Sequence, residues 1–377
     1  MTHRSRHRIT LVLAALALVT WSPAKADDLR ARIDGRIEQE ITDKRIVGLS
    51  AGLYRAGAPL ETLHFGWEDR EAQTPASDKT MYRWASISKP LTAVIAVQLA
   101  RENKLDLDLD VCSYVPEFPA REWPLTARQL LCHQGGVVHY TNGEVTVTVR
   151  TYDDPHPFKD VVVALDRFKE SPLIAEPGTK YSYTTHGYIL LGAVVQRAGE
   201  RPYADLVTMR IAEPLGMTTL RPDYQWEDIP HSAVGYRRNR ADEIVRSTDT
   251  DVSWKLPGGG FISNVADLTR FGAGMLELKI VDEAMREAMW TPQVTRDGEA
   301  TTYGLGFGIG ELDGRRIAAH SGSQEKTATY LLIDAEAGHV VALMCNTEGA
   351  RLNDLARDLA RMMHEANQQS TSPESVR

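Results

Sequence analysis

Trp84-Ala85-Ser86-Ile87-Ser88-Lys89-Pro90 is the stretch on which the reading of the whole chain turns. It sets a hydroxyl at Ser86 and an amine at Lys89 three residues apart, and a mostly apolar run follows over residues 91–99. On a helix that spacing puts both side chains on one face, about 5–6 Å apart at their β-carbons. The lysine can then take the serine proton, provided its amine is neutral. Neutrality requires a pKa lowered from about 10.4 by desolvation or by a neighbouring cation. Pro90 marks the helix start, because a first turn has no hydrogen bond for proline to remove. A helix is therefore predicted over residues 86–103, with Ser86 at its mouth, where the positive end of the dipole favours a developing oxyanion.

Ser-x-x-Lys alone is a weak signal. It recurs at Ser22/Lys25 and at Ser323/Lys326, and only the copy at Ser86 has a first-turn proline and a long apolar helix behind it. A second feature is Tyr183-Thr184-Thr185, ahead of the apolar run at residues 189–195 and just after the turn signal Pro177-Gly178. Tyr183 is thus expected at a loop-to-helix junction, where a tyrosinate or a tyrosine working with lysine can serve as a general base. Tyr140 competes for that role, but its polar loop leads into no helix. A third feature is His320-Ser321-Gly322-Ser323, expected at a strand end. There Gly322 would let a substrate lie against the strand, and the Ser323 N–H would complete an oxyanion hole with that of Ser86.

Outward from these motifs the chain reads as α+β. Leu29, Ile33, Ile37 and Ile41 form an apolar stripe on an opening helix. Gly48–Arg55 and residues 61–67 are β-rich runs joined by a turn. Residues 106–246 are mostly helical in pattern, broken by proline and glycine. Then come a short helix at 266–276, strands at 303–310, 315–320, 327–334 and 339–346, and a closing amphipathic helix. Strands at both ends imply one antiparallel sheet split in sequence, flanked by N- and C-terminal helices, with a mostly helical lobe inserted. The expected division is a sheet domain from 27–103 and 250–366, the lobe at 104–249, and a polar tail at 367–377.

Taken together the motifs resemble the serine β-lactamase and penicillin-binding-protein superfamily, in its class C-like branch of β-lactamase-related serine hydrolases. That branch has a mitochondrial β-lactamase-like member. The resemblance extends from about Asp28 to His364 and is carried by residues 84–90, 130–136, 177–183, 187–192, 213–217 and 259–263. It implies a site between sheet and lobe, Ser86 as the acyl-forming nucleophile, Lys89 as its proton acceptor, and Tyr183 as partner base and later acid. Two positions depart from the family pattern. Thr185 stands where asparagine is common, and a hydroxyl offers a substrate amide fewer hydrogen bonds. His320-Ser321-Gly322 replaces Lys-Thr-Gly, so a fixed cation for a substrate carboxylate is lost. Both changes weaken β-lactam or D-Ala-D-Ala cleavage and leave acyl transfer intact.

Composition narrows the remaining classes. A hydrophobic fraction of 42% and a charged fraction of 25% are those of a globular protein. Arg4, Arg6 and Arg8 precede an apolar run at residues 9–20 and the small-x-small site Ala24-Lys25-Ala26, the pattern of a signal peptide over residues 1–26. Export to the periplasm or medium is expected, with no stable membrane insertion after cleavage. Losing that segment strips Arg4, Arg6, Arg8 and Lys25 and moves the net charge from −8 to −12. Nucleic acid is therefore not an expected partner. The expected partner is a small-molecule or short-peptide acyl substrate; oligomeric state leaves no trace in the sequence.

No cofactor or metal is expected, since Asp106, Asp108 and Asp110 lack the glycine of a calcium loop and the histidines lack zinc spacing. Gly48-Leu49-Ser50-Ala51-Gly52 copies a nucleophile elbow but sits in the first strand, too early for that fold. Three cysteines, Cys112, Cys132 and Cys345, leave at least one unpaired and allow a Cys112–Cys132 bridge. The alternative from another functional class is a non-catalytic or acyl-trapping ligand sensor on the same scaffold.

Overall fold

The stripe Leu29, Ile33, Ile37, Ile41 becomes one face of a helix lying on a sheet. The computed structural model describes residues 23–371. In it helix α1 (Pro23–Lys44) precedes strands β1 (Gly48–Arg55), β2 (Glu61–Asp69) and the two-residue β3 (Thr74–Pro75). Helices α2 (Ser88–Arg101), α3 (Thr185–Gly199) and α4 (Val265–Leu276) follow. Strands β4 (Gly308–Leu312), β5 (Arg315–Gln324), β6 (Thr327–Asp334) and β7 (His339–Cys345) lead to the closing helix α5 (Asn353–Thr371).

The sheet is antiparallel, in the order β3-β2-β1-β7-β6-β5-β4, so the first and last strands of the chain meet where β1 pairs with β7. Strand β7 is apolar at consecutive positions because it is buried on both faces. Val341, Leu343 and Cys345 pack with Ile33 and Ile37 of α1 and Leu355 and Leu359 of α5. Val340, Ala342 and Met344 join the larger core shared with α2, α3 and α4. The split sheet and its flanking helices thus follow the sequence reading.

Boundaries moved where local geometry intervened. The strand expected over 303–310 begins only at Gly308, because Gly306 takes φ +88°, a conformation that breaks an extended chain. Strand β5 continues past His320 to Gln324, so His320 lies within the strand and not at its end. Helix α5 runs through Thr371, into the stretch read as a polar tail. Within the inserted segment, long helix is confined to α3 and to helical turns between Tyr203 and Leu215. The β-branched stretch Val145–Val149 forms neither helix nor strand and is tied down by Thr146 N–H to Ser171 Oγ and Thr148 N–H to the Asp166 carbonyl. Cys112 and Cys132 are both thiols; Cys132 Sγ donates to the Arg128 carbonyl instead of bridging. The expected signal peptide lies largely outside the described residues, and residues 24–26 are in the first turn of α1. Among the described residues no helix is long and apolar enough to cross a membrane.

Candidate active site

Ser86 lies in a 3-10 turn, Ala85–Ile87, that leads directly into α2, so the expected helix mouth is tighter than an α-turn. Trp84 pins this turn: its indole N–H donates to Ser263 Oγ at 2.6 Å, and its carbonyl accepts from Thr329 Oγ1 at 3.0 Å. Ala85 takes φ +47°, a costly conformation for alanine, held because Trp84, Ala85 and Ile87 are buried around the part-exposed Ser86. Strand β5 presses on it so closely that only glycine fits at 322. A β-carbon there would stand 2.1 Å from Thr329 Oγ1 and 2.4 Å from the Trp84 carbonyl oxygen. Gly322→Ala is expected to cost roughly 1–3 kcal/mol through this overpacking and to slow acylation of every substrate. An unchanged urea midpoint together with unchanged activity would refute so close a fit.

Lys89 is fully buried, and its amine reaches Ser86 Oγ at 3.1 Å, Thr185 Oγ1 at 3.3 Å and the Gly258 carbonyl at 2.9 Å. Burial drives its pKa well below the ordinary lysine value, and the charge of Lys255 pushes the same way. The neutral form is favoured by both causes, and three partners suit a neutral amine. Two N–H bonds go to Thr185 and Gly258, and the lone pair is left to accept from the Ser86 hydroxyl. Tyr183 stands beside the pair, its ring centroid 4.8 Å from the Lys89 nitrogen. Burial raises its pKa, and a hydrogen bond with Ser86 pulls only partly the other way, so the resting phenol keeps its proton.

The chain order brings Tyr183 here because Thr184 caps α3, accepting from the Gly187 N–H. Two histidines hold the same helix start. His133 Nδ1 accepts from the Thr184 N–H and His139 Nδ1 from the Thr185 N–H, both at 3.2 Å. Acting as acceptors requires neutral rings, and burial lowers both pKa values, that of His139 to about 4. Thr185, at the position read as a departure from asparagine, is buried and binds both Lys89 and the Tyr140 hydroxyl, the latter at 3.2 Å.

His320 is buried, contrary to a strand-end residue facing water. Its Nδ1–H donates to the Ser321 carbonyl at 2.7 Å, which leaves Nε2 to accept from the Tyr303 hydroxyl at 2.9 Å. Burial lowers its pKa to about 3, so it is uncharged at neutral pH. His320, Tyr181, Tyr183, Tyr303 and Ser321 line a cavity of about 380 Å³. Ser323 is exposed on the part of β5 that β4 does not cover.

The structure therefore gathers Ser86, Lys89, Tyr183, Thr185 and the 320–323 segment at one junction of sheet and lobe. It also brings in Tyr140, which the sequence reading set aside as a competitor to Tyr183, and adds two groups that the motifs did not single out, Lys255 and the Gly258 carbonyl. Tyr140 enters because its loop folds back, with Asn142 Nδ2 donating to Ser182 Oγ and Thr184 Oγ1 donating to the Val138 carbonyl. Lys255 and the Gly258 carbonyl come from one short segment, Trp254-Lys255-Leu256-Pro257-Gly258. A buried lysine next to a Pro-Gly-Gly-Gly run was the available signal for it.

Known proteins are similar over most of the chain. The Beta-lactamase family model matches residues 33–372. The serine beta-lactamase-like protein LACTB, mitochondrial, of Bos taurus is 27% identical, in an alignment covering 89% of this chain and 79% of that protein. D-amino acid amidase from Ochrobactrum anthropi SV3, in complex with D-phenylalanine, superposes with a TM-score of 0.73 at 21% identity, over 91% of this chain and 99% of its own. EstCE1, a hydrolase with promiscuous acyltransferase activity, superposes with a TM-score of 0.74 at 20% identity, over 92% of this chain and 99% of its own.

Proposed function

We propose, from the premise that this chain belongs to the beta-lactamase family, that it hydrolyses a small acyl substrate through an ester formed on Ser86. The observation that carries the reading is the fully buried Lys89, set between Ser86 Oγ, Thr185 Oγ1 and the Gly258 carbonyl. Ser86 Oγ attacks the substrate carbonyl carbon while its proton passes to Lys89 Nζ. The oxyanion is held by the backbone N–H groups of Ser86 and Ser323. As the tetrahedral intermediate collapses, the bond to the leaving group breaks, and that group takes a proton from the Tyr183 hydroxyl. Lys89 returns its proton to the phenol. Water repeats the sequence on the acyl-enzyme, losing a proton to the amine and freeing Ser86 and the acid. Because the phenol is protonated at rest, the resting base is Lys89, and Tyr183 acts as the proton carrier.

Short-chain esters are the first substrate class to expect, then D-amino-acid peptides, then β-lactams. Neutral His320 offers a substrate carboxylate no charge, and Thr185 lends its hydroxyl to Lys89 and Tyr140 instead of presenting an amide. Of the two structural relatives named above, the D-amino acid amidase is in keeping with the second class, and EstCE1, a hydrolase with promiscuous acyltransferase activity, with acyl transfer in general. Purified protein assayed against one substrate of each class is expected to give kcat/KM values in that order. A β-lactam turned over faster than the esters would reverse it. Export remains part of the proposal and rests on residues 1–26; N-terminal sequencing of protein recovered from the periplasm should begin at Asp27, and an intact N-terminus would contradict it.

A further inference from the structure

Lys255 is nine-tenths buried, with 8% of its surface exposed, yet its ammonium makes no hydrogen bond among the described residues. Glu325 lies 4.0 Å away, beyond hydrogen-bond reach, and the Trp254 ring centroid is at 5.9 Å. Its one charged partner among the described residues is the part-exposed Glu325, at the limit of an ion pair, which leaves its N–H donors open to a further acceptor. Its location says where that acceptor would come from. Lys255 ends the 3-10 turn Ser253–Lys255, three residues before the carbonyl that holds Lys89. Its partner Glu325 directly follows Gln324 at the end of β5, and the Gln324 side chain lies against Gly259, one residue beyond that carbonyl.

The neighbours share its polarity. Gln324 Nε2 is buried without a partner, and the Tyr140 hydroxyl, bound only to Thr185, lies close enough to feel Glu325. Donors are therefore in excess at this end of the cleft. The two ends are chemically distinct. His320, Tyr303 and Tyr183 stand at one, and Gln324 stands at the other, four residues or about 13 Å along β5. A leaving group that takes its proton from Tyr183 departs toward the first end, which directs the acyl group toward Lys255.

We infer that the acyl portion of the substrate carries a carboxylate, received by Lys255 with Gln324 and Tyr140. This rests on the serine-hydrolase reading above and adds the substrate class to it. The cation that position 320 does not supply on the leaving-group side is provided, from a different element, on the acyl side. Glu325, with 43% of its side chain exposed, is the counter-charge that a substrate carboxylate would displace.

The test compares 4-nitrophenyl esters of equal chain length: pentanoyl against glutaryl, and hexanoyl against adipoyl, with 6-aminohexanoyl as the cationic member. Wild-type kcat/KM is expected to favour the carboxylated ester of at least one pair by about 10- to 100-fold. Lys255→Met should collapse that ratio, and Lys255→Arg should keep most of it. The ratio is the readout because any effect of Lys255 on the Lys89 amine is common to both esters and cancels. No preference for the carboxylated esters, a ratio unchanged in Lys255→Met, or preference for the 6-aminohexanoyl ester would each overturn the inference while leaving the hydrolase intact. Failure to hydrolyse any of the esters, with no fluorophosphonate label on Ser86, would instead remove the hydrolase reading and this inference with it.

Discussion

Ser86→Ala is expected to abolish ester hydrolysis and labelling by a fluorophosphonate, leaving only the background rate. No neighbour can replace the lost hydroxyl. Ser88 is fully buried and its oxygen is turned to the Phe261 N–H. The other serine–lysine pair in the described residues, Ser323 and Lys326, is inactive as a dyad, since Lys326 Nζ is held at 3.3 Å by Asp249. Removing one oxygen from a buried turn disturbs little packing, so the variant should unfold like the wild type. Activity near the wild-type level in Ser86→Ala would end the mechanism. Turnover of the acyl-enzyme formed from a carboxylic ester decides the functional class: fast deacylation marks a hydrolase, whereas a stable adduct marks an acyl-trapping sensor.

Lys89→Met is expected to lower kcat/KM by about 10²–10⁴, equivalent to about 3–5 kcal/mol of transition-state stabilisation. Methionine has a similar length and keeps the site uncharged, as the neutral amine already does, so the loss reports proton transfer and not a change of field. His320→Ala should cost less, because His320 is bonded to Tyr303 and Ser321 and touches neither Ser86 nor Lys89. A larger loss at His320 would show the roles to be exchanged.

The same amine governs the pH profile of the wild type. Its pKa is depressed, so the active neutral form is present well below the range of an exposed lysine. Activity should already be high at neutral pH and fall as acidification protonates Lys89. The linkage to stability has a definite sign: the unfolded lysine binds a proton that the folded one does not, so this residue opposes folding at neutral pH. That contribution vanishes as pH rises through the ordinary lysine range. An activity limb near pH 10 would show that Lys89 is charged at rest and would remove it as the base.

The sequence was sufficient for the parts of this protein that depend on short-range pattern. The apolar period of four in Leu29–Ile41, the β-rich run Gly48–Arg55 and the apolar run over residues 340–345 specify helices and strands. Strands at the two ends of the chain require a sheet closed across an insertion. Ser86, Lys89 and Pro90 lie within one turn, so their spacing is a local property, and family membership followed from motifs of the same kind. Tyr140 and Lys255 belong to the other category. The first is 54 residues and the second 169 residues from Ser86 in the chain, and neither position carries a periodicity that announces it. Their arrival depends on a loop folded back onto the start of α3 and on a 3-10 turn packed against the same helix. The charge states of Lys89, Tyr183 and His320 likewise came only with burial, since a pKa is shifted by removal of water and by neighbours that only the tertiary structure assembles.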